Sequence, residues 1–534
     1  MKRKPNAELK VNPIALSVGR LPTIVATCWN LQSLQSFFPP LEVLFRTDHI
    51  ENVRTYGIKL RDQFTSIVDE DSVKLQNGTI IPVHRKTTML LNPFKWMKGE
   101  YGTIGLPTYK EKADIIHTKL HSVHTAGYVG SILSVLLSES ECEHFPRVYG
   151  VYTGTSTSHT IDISDDYEDL TDRNWFCQNI GKTFELKLNE HVGDHIEYSR
   201  SARKNLIMGE DIELEDVQNM TGINTAENLP GELTPVFKET EEEELLSDTS
   251  SSISTSYIFD IESLGSSDID TTIDDDESED DEPFAWATFQ NVPVQVTVME
   301  RCTGTLYDLF IKEPDSEKHH AWIAQIVFAL AFAQRNFAFT HNDLHGNNVM
   351  YIETTKTVLY YSHAGVHYVV PTYGYLLKII DFDRGIGSVR LVGMKEPKIF
   401  MSDQFSHTEE AGGQYNVTPF YHSKYQTVKP NPSFDLVRLA TSLFWDLFPQ
   451  GPKYDGYLQN PVYKLFMRWL TLPDGNSVLF FKNNPKVDRY MGFNLYKAIA
   501  RYCKDTAVPR KEIEQFKQFI GVLPSGSVPL LIDV

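Results

Sequence analysis

The chain has 534 residues, 41% of them apolar, which is ample for two or three average domains with real cores. Its formal charge of −21 is unevenly spread: between Glu210 and Glu282 there are 25 acidic residues against the single Lys238, a charge of −24 that leaves the rest of the chain at +3. No apolar run approaches a membrane span of about 18 residues. No basic stripe interleaved with aromatics points to nucleic acid. Five scattered cysteines (Cys28, Cys142, Cys177, Cys302, Cys503) without metal spacing predict free thiols in a reducing compartment, with the cytoplasm as the expected location.

Residues 1–60 read as an N-terminal extension, with Pro13, Gly19 and Arg20 breaking any signal-peptide pattern after the basic Lys2-Arg3-Lys4. Residues 61–205 read as a β-rich unit. Within it, Gly78-Thr79-Ile80-Ile81-Pro82-Val83-His84-Arg85-Lys86 predicts a turn and then a strand ending in a cation, with Arg85 and Lys86 on opposite faces. Residues 115–137 predict a helix that contains no Glu, and residues 148–152 a following strand. Residues 206–285 predict a disordered acidic insertion, because like charges repel and large apolar residues are scarce. Tyr257-Ile258-Phe259 is the one piece of it expected to order. A solvated spacer is its simplest role. The functional alternative is a docking segment for a basic partner, or for an acid-directed kinase acting on Ser278 ahead of Glu279, Asp280 and Asp281.

Residues 286–304 complete the β-rich unit, with a strand over 294–298 followed by Met299-Glu300-Arg301-Cys302. Residues 305–534 read as mainly helical. A helix starts at 305, and Trp322, Ile323, Ile326, Val327 and Leu330 recur at helical spacing in a second, buried one. That helix leads into His341-Asn342-Asp343-Leu344-His345-Gly346-Asn347-Asn348. Short strands over 349–352 and 376–380, separated by a further hairpin, precede Asp381-Phe382-Asp383. An isolated Asn-Asp pair would read as a turn. The ordered set instead supplies what phosphoryl transfer from a nucleotide requires. Asp343 would orient and deprotonate the acceptor hydroxyl, while Asn348 and Asp381, five and 38 positions on, would hold magnesium. Lys86 is the candidate strand lysine for the α/β-phosphates; the alternative is an ordinary surface lysine. Met299, Glu300 and Cys302 stand where a hinge would present backbone groups to adenine, and Met299 is equally suited to a core. The expected fold is α+β and bilobal, with a small β-rich N-lobe and a helical C-lobe, using ATP and Mg2+.

The segments Lys86-Thr87-Thr88-Met89-Leu90-Leu91-Asn92-Pro93, Pro371-Thr372-Tyr373-Gly374-Tyr375, Ile379-Ile380-Asp381-Phe382 and Pro432-Ser433-Phe434-Asp435-Leu436 carry a likeness. The chain resembles the serine/threonine protein kinases of giant DNA viruses of the mimivirus type, from about residue 86 to the C-terminal helices, the acidic insertion excepted. The resemblance implies a protein-kinase-like fold, ATP and magnesium, protein Ser/Thr acceptors, and a place in the host cytoplasm or the virion. It makes Asp343 the base, Asn348 and Asp381 the metal ligands, Lys86 the phosphate-binding lysine, and Asp435 a buried brace of the catalytic loop. The sequence departs from the kinase pattern in several places. Asn342 replaces the Arg before the base, and Asp383 replaces the Gly of D-F-G. His345 stands where a Lys steadies the γ-phosphate, and a neutral imidazole can still donate one hydrogen bond there. No G-x-G-x-x-G precedes Lys86, and its helix partner is missing, which leaves Asp114, Glu139 or another arrangement. A small-molecule kinase of the aminoglycoside or choline type, and a catalytically weak pseudokinase scaffold, are the competing expectations.

Overall fold

The computed structural model describes residues 14–45, 55–102, 104–107, 119–189, 284–406, 411, 415, 421–422, 427–482, 484–485, 487–490 and 492–533. The expected acidic insertion, Ser278 and Tyr257-Ile258-Phe259 therefore lie outside the described residues, apart from the insertion's last two positions. The fold is mixed, with a β-rich region and helices. Its main sheet is antiparallel throughout, in the order Leu31–Gln35, Val148–Asp162, Ala285–Glu300, Ile80–Met89, Ser72–Leu75, Phe64–Ile67, and Glu185–Leu188 pairs with the first residues of Ala285–Glu300. Leu31–Gln35, from the stretch read as an N-terminal extension, is thus an edge strand of this sheet.

The strands expected over 148–152 and 294–298 are present and much longer. In Ala285–Glu300 the alternation continues upstream through Ala285, Ala287 and Phe289, all fully buried. Asn291, at φ 55, shifts it by one residue so that Val292, Val294, Val296 and Val298 still face the same apolar cluster. Ile80–Met89 lies beside this strand in a register that sets Lys86 opposite Thr297 and Arg85 opposite Val298. Directly opposed residues share a face. Arg85 accordingly turns to the valine side, where its guanidinium lies 5.3 Å over the Trp29 ring. Lys86 and Thr88 turn to the other side.

That other side is covered by the helix Ala126–Ser138, every residue of which is buried. The 115–137 pattern is interrupted: Lys119 and Leu120 are helical, backbone bonds from Ser122 to Lys119 and from Thr125 to Ser122 then close turns, and the helix resumes at Ala126. Residues 115–118 lie outside the described residues, as does Asp114. The helix touches the sheet through small groups, with Ser131 Oγ 2.7 Å from Thr297 Oγ1.

Leu306–Lys312 starts on a capping box between Thr305 and Asp308. The long helix Ser316–Phe337 is capped by Asp315 and buried along nearly its whole length, because it runs through the middle of the larger apolar cluster. Against it pack Pro461–Leu470, Pro509–Glu512 and the strand Tyr375–Ile379, which belongs to a small sheet with Gly304–Thr305 and Val349–Glu353, while Phe434–Leu447 packs in turn on Pro461–Leu470. A hairpin, Val358–His363 with Val366–Pro371, fills the interval between the last two strands. Among the described residues no helix is long and apolar enough to cross a membrane, and the five cysteines are unpaired.

Candidate functional site

The loop after Ser316–Phe337 is shaped by one buried carboxylate. Asp435, at the start of Phe434–Leu447 and fully buried, accepts the amides of His341 at 3.0 Å and Asn342 at 2.9 Å. Asn342 sits at φ 67, and its side-chain amide donates to Arg384 O at 2.8 Å, which ties this loop to the segment after Asp381. His341 donates from Nε2 to Ile380 O at 2.7 Å and accepts the Asp343 amide on Nδ1 at 3.3 Å. Asn348 donates from Nδ2 to Asp343 O at 2.9 Å, and its Oδ1 is the atom it has to offer a cation.

Asp381 occupies the left-handed region, at φ 65, in a turn pinned by Phe382. Phe382 is 2% exposed and packs edge-on to Phe145, Phe339 and His341. The turn projects two carboxylates at one lysine 295 positions away in sequence. Lys86 Nζ lies 2.7 Å from Asp381 Oδ1 and 2.9 Å from Asp383 Oδ1, and Thr88 Oγ1 donates to Asp383 Oδ2 at 3.1 Å. Burial alone would push the Lys86 ammonium down, but the two carboxylates outweigh it and hold the lysine charged. Burial would also push Asp381 up; Lys86 reverses this and holds it below the usual range, whereas Asp383 stays raised by burial and by the Asp381 charge.

Asp343 is held at both oxygens: Tyr496 donates to Oδ1 at 2.5 Å, and Arg384 Nη1 lies 3.4 Å from Oδ2. Burial would raise this carboxyl, but Arg384, His345 and Arg438 hold it well below the ordinary carboxylate range. Burial pushes the neighbouring His345 imidazole down to about 4, so it is neutral at physiological pH. Asp343, Asn348, Asp381, His345 and Lys86 are thereby gathered into one neighbourhood. Asp381 with Asn348 presents a carboxylate and an amide oxygen, a hard donor pair suited to magnesium once phosphate and water oxygens complete the shell. Among the described residues no group of three or more His, Cys, Asp or Glu is placed to hold a metal ion.

The proposed hinge residues end the Ala285–Glu300 strand. Met299 is 7% exposed and belongs to the larger apolar cluster, and burial pushes the Cys302 thiol up to about 12. Glu300 commits its amide to Arg147 O at 2.8 Å and its carboxylate to Lys378 Nζ at 2.9 Å. What remains for a ligand there is backbone beyond Glu300. Glu139, one candidate partner for Lys86, is instead 3.7 Å from Arg61.

Several participants are not evident from the sequence. Asp383 reads only as a departure from D-F-G, although its surplus carboxylate beside a helix lacking any acid was the available signal. Arg384 directly follows it and carries no motif. Tyr496, 153 positions from Asp343, leaves no local trace. Compared with known families and curated proteins, the sequence matches no family model and no curated protein.

Proposed function

We propose that the protein is an ATP-dependent phosphotransferase with a bilobal, protein-kinase-like arrangement, acting on Ser/Thr hydroxyls of protein substrates. The observation that carries this is the convergence of Lys86 on Asp381, next to a loop whose Asp343 and Asn348 stand at kinase spacing. The β-rich region with Lys86 corresponds to the small lobe, and the helices from Leu306 onward to the large one. Lys86 would hold the nucleotide's α/β-phosphates, and Asp343 would accept the proton from the acceptor hydroxyl as its oxygen attacks the γ-phosphorus and the bond from that phosphorus to the β,γ-bridging oxygen breaks, with ADP as the leaving group. Magnesium held by Asp381 and Asn348 would supply charge neutralisation on the transferred group. His345, neutral, would donate a single hydrogen bond toward the γ-phosphate.

One observation favours a second reading. Both oxygens of Asp343 are engaged by Tyr496 and Arg384, as suits a scaffold or an enzyme at rest. Transfer of labelled γ-phosphate from Mg·ATP, with wild type and Asp343→Asn run in parallel on basic protein, acidic protein and small amines, separates these. Label on protein that vanishes in the variant supports the protein kinase; label on an amine points to a small-molecule kinase. Binding of Mg·ATP without any transfer favours the scaffold.

A further inference from the structure

We propose that Asp383 is the residue that positions Lys86, doing from inside the Asp381-Phe382-Asp383 turn what a helix carboxylate would do, and that Gly130 is the gap in the helix that makes room for it. The proposal rests on Lys86 being the phosphate-binding lysine.

The helix Ala126–Ser138 lies on the face of the sheet to which Lys86 points, yet its 13 residues, AGYVGSILSVLLS, include no acid. Where a side chain would leave it toward Lys86 there is a glycine. A Cβ built on Gly130 would stand 1.8 Å from Asp383 Oδ1 and 2.9 Å from Asp383 Cγ, so any other residue at 130 would expel that carboxylate. Glycine is unfavourable within a helix, and φ at Gly130 is not positive, so close approach is the reason for it here. At Gly127, one turn earlier on the same face, the fit is tight without overlap: a Cβ there would stand 3.1 Å from Gln295 Cβ and 3.3 Å from Thr88 Cβ.

The two carboxylates of the turn differ in what they are committed to. Asp383 commits both oxygens to the strand Ile80–Met89, Oδ1 to Lys86 and Oδ2 to Thr88. Asp381 meets the lysine through Oδ1. If Asp381 turns toward a cation, Lys86 therefore keeps an anchor that stays in place. Relative to the kinase pattern a carboxylate has moved from the helix to the turn, and a glycine from the turn to the helix. The two departures are one compensated exchange.

Reversing the exchange tests this. In the full chain, Asp383→Gly should raise the Kd and KM for Mg·ATP by about tenfold or more, because the lysine loses its fixed partner. Asp383→Asn, which keeps the side chain's shape and its contact with Thr88, should show the same loss and guards against a glycine variant that fails to fold. Adding Gly130→Glu to Asp383→Gly should bring both constants back to within about threefold of wild type, whereas Gly130→Glu alone should be destabilised. A purely structural Asp383 would lower the melting temperature while leaving Kd and KM for Mg·ATP unchanged in the folded variants; that result, or a double variant no better than Asp383→Gly, would overturn the proposal alone. A wild type that neither binds Mg·ATP nor transfers phosphate would remove the phosphotransferase assignment and this proposal together.

Discussion

The state of Asp343 decides how the site would work. Arg384, His345 and Arg438 outweigh burial to hold its carboxyl ionised far below neutrality, so at physiological pH it is a ready proton acceptor but an intrinsically weak base. Replacing it with Asn keeps the shape and removes the acceptor. Turnover should drop by about a thousandfold or more with the Kd for Mg·ATP nearly unchanged, because the proposed phosphate and metal ligands, Lys86, Asp381 and Asn348, are other residues. Equal losses in binding and turnover would contradict a base.

The loop carrying Asp343 depends on the first turn of Phe434–Leu447. Removing the Asp435 carboxylate orphans two buried amides, at His341 and Asn342, and Asp435→Ala should cost about 2–4 kcal/mol in urea unfolding. A loss below about 1 kcal/mol would show that the loop is held by its other bonds. This brace was expected only through the kinase resemblance of Ser433-Phe434-Asp435-Leu436; legible in the residues themselves were the long helix with its apolar period, the two strands flanking the hairpin, and the opposite facing of Arg85 and Lys86. Each is encoded locally, by spacing within a single element. What escaped depends on tertiary approach. The length of Ala285–Glu300 was hidden because its first half adjoins the acidic stretch and changes phase at Asn291. The break before Ala126–Ser138 comes from turns that leave the apolar pattern unbroken. Gly130 and Asp383 carry meaning only as a pair, and the ion pair of the buried Lys378 with Glu300 joins strands far apart in sequence.

The β-rich region and the helices are joined by buried polar links, and these make stability depend on pH. His144, 3% exposed, donates from Nδ1 to Leu377 O at 2.9 Å and accepts on Nε2 from Tyr361 Oη at 2.7 Å, a pairing that only the neutral ring satisfies. Burial pushes it down to about 4 from an ordinary 6.5, and His159, also buried, shifts likewise. Between those values the unfolded chain binds more protons than the folded one. The stabilisation is therefore complete above about pH 6.5 and is lost progressively as pH falls toward 4, by roughly 3 kcal/mol for such a ring. Wild type should melt lower at pH 5 than at pH 7, and His144→Gln, weaker at pH 7, should show a smaller further drop; parallel slopes would clear His144 of the effect. The long acidic stretch makes the opposite prediction, that its removal costs the fold little. The chain leaves for residues 190–283 and returns at neighbouring points of one sheet: Leu188 is paired with Ala285, and the Asn189 amide donates to Phe284 O at 2.8 Å. A short Gly/Ser linker spans that gap without moving either strand. Replacing residues 190–283 in this way should leave the melting temperature within about 2 °C, because a stretch so rich in like charge and so poor in large apolar residues has little to contribute to a core. Insoluble protein, or a fall of more than about 5 °C, would mean that the stretch buries surface against the rest of the chain, since a solvated spacer contributes no such contacts.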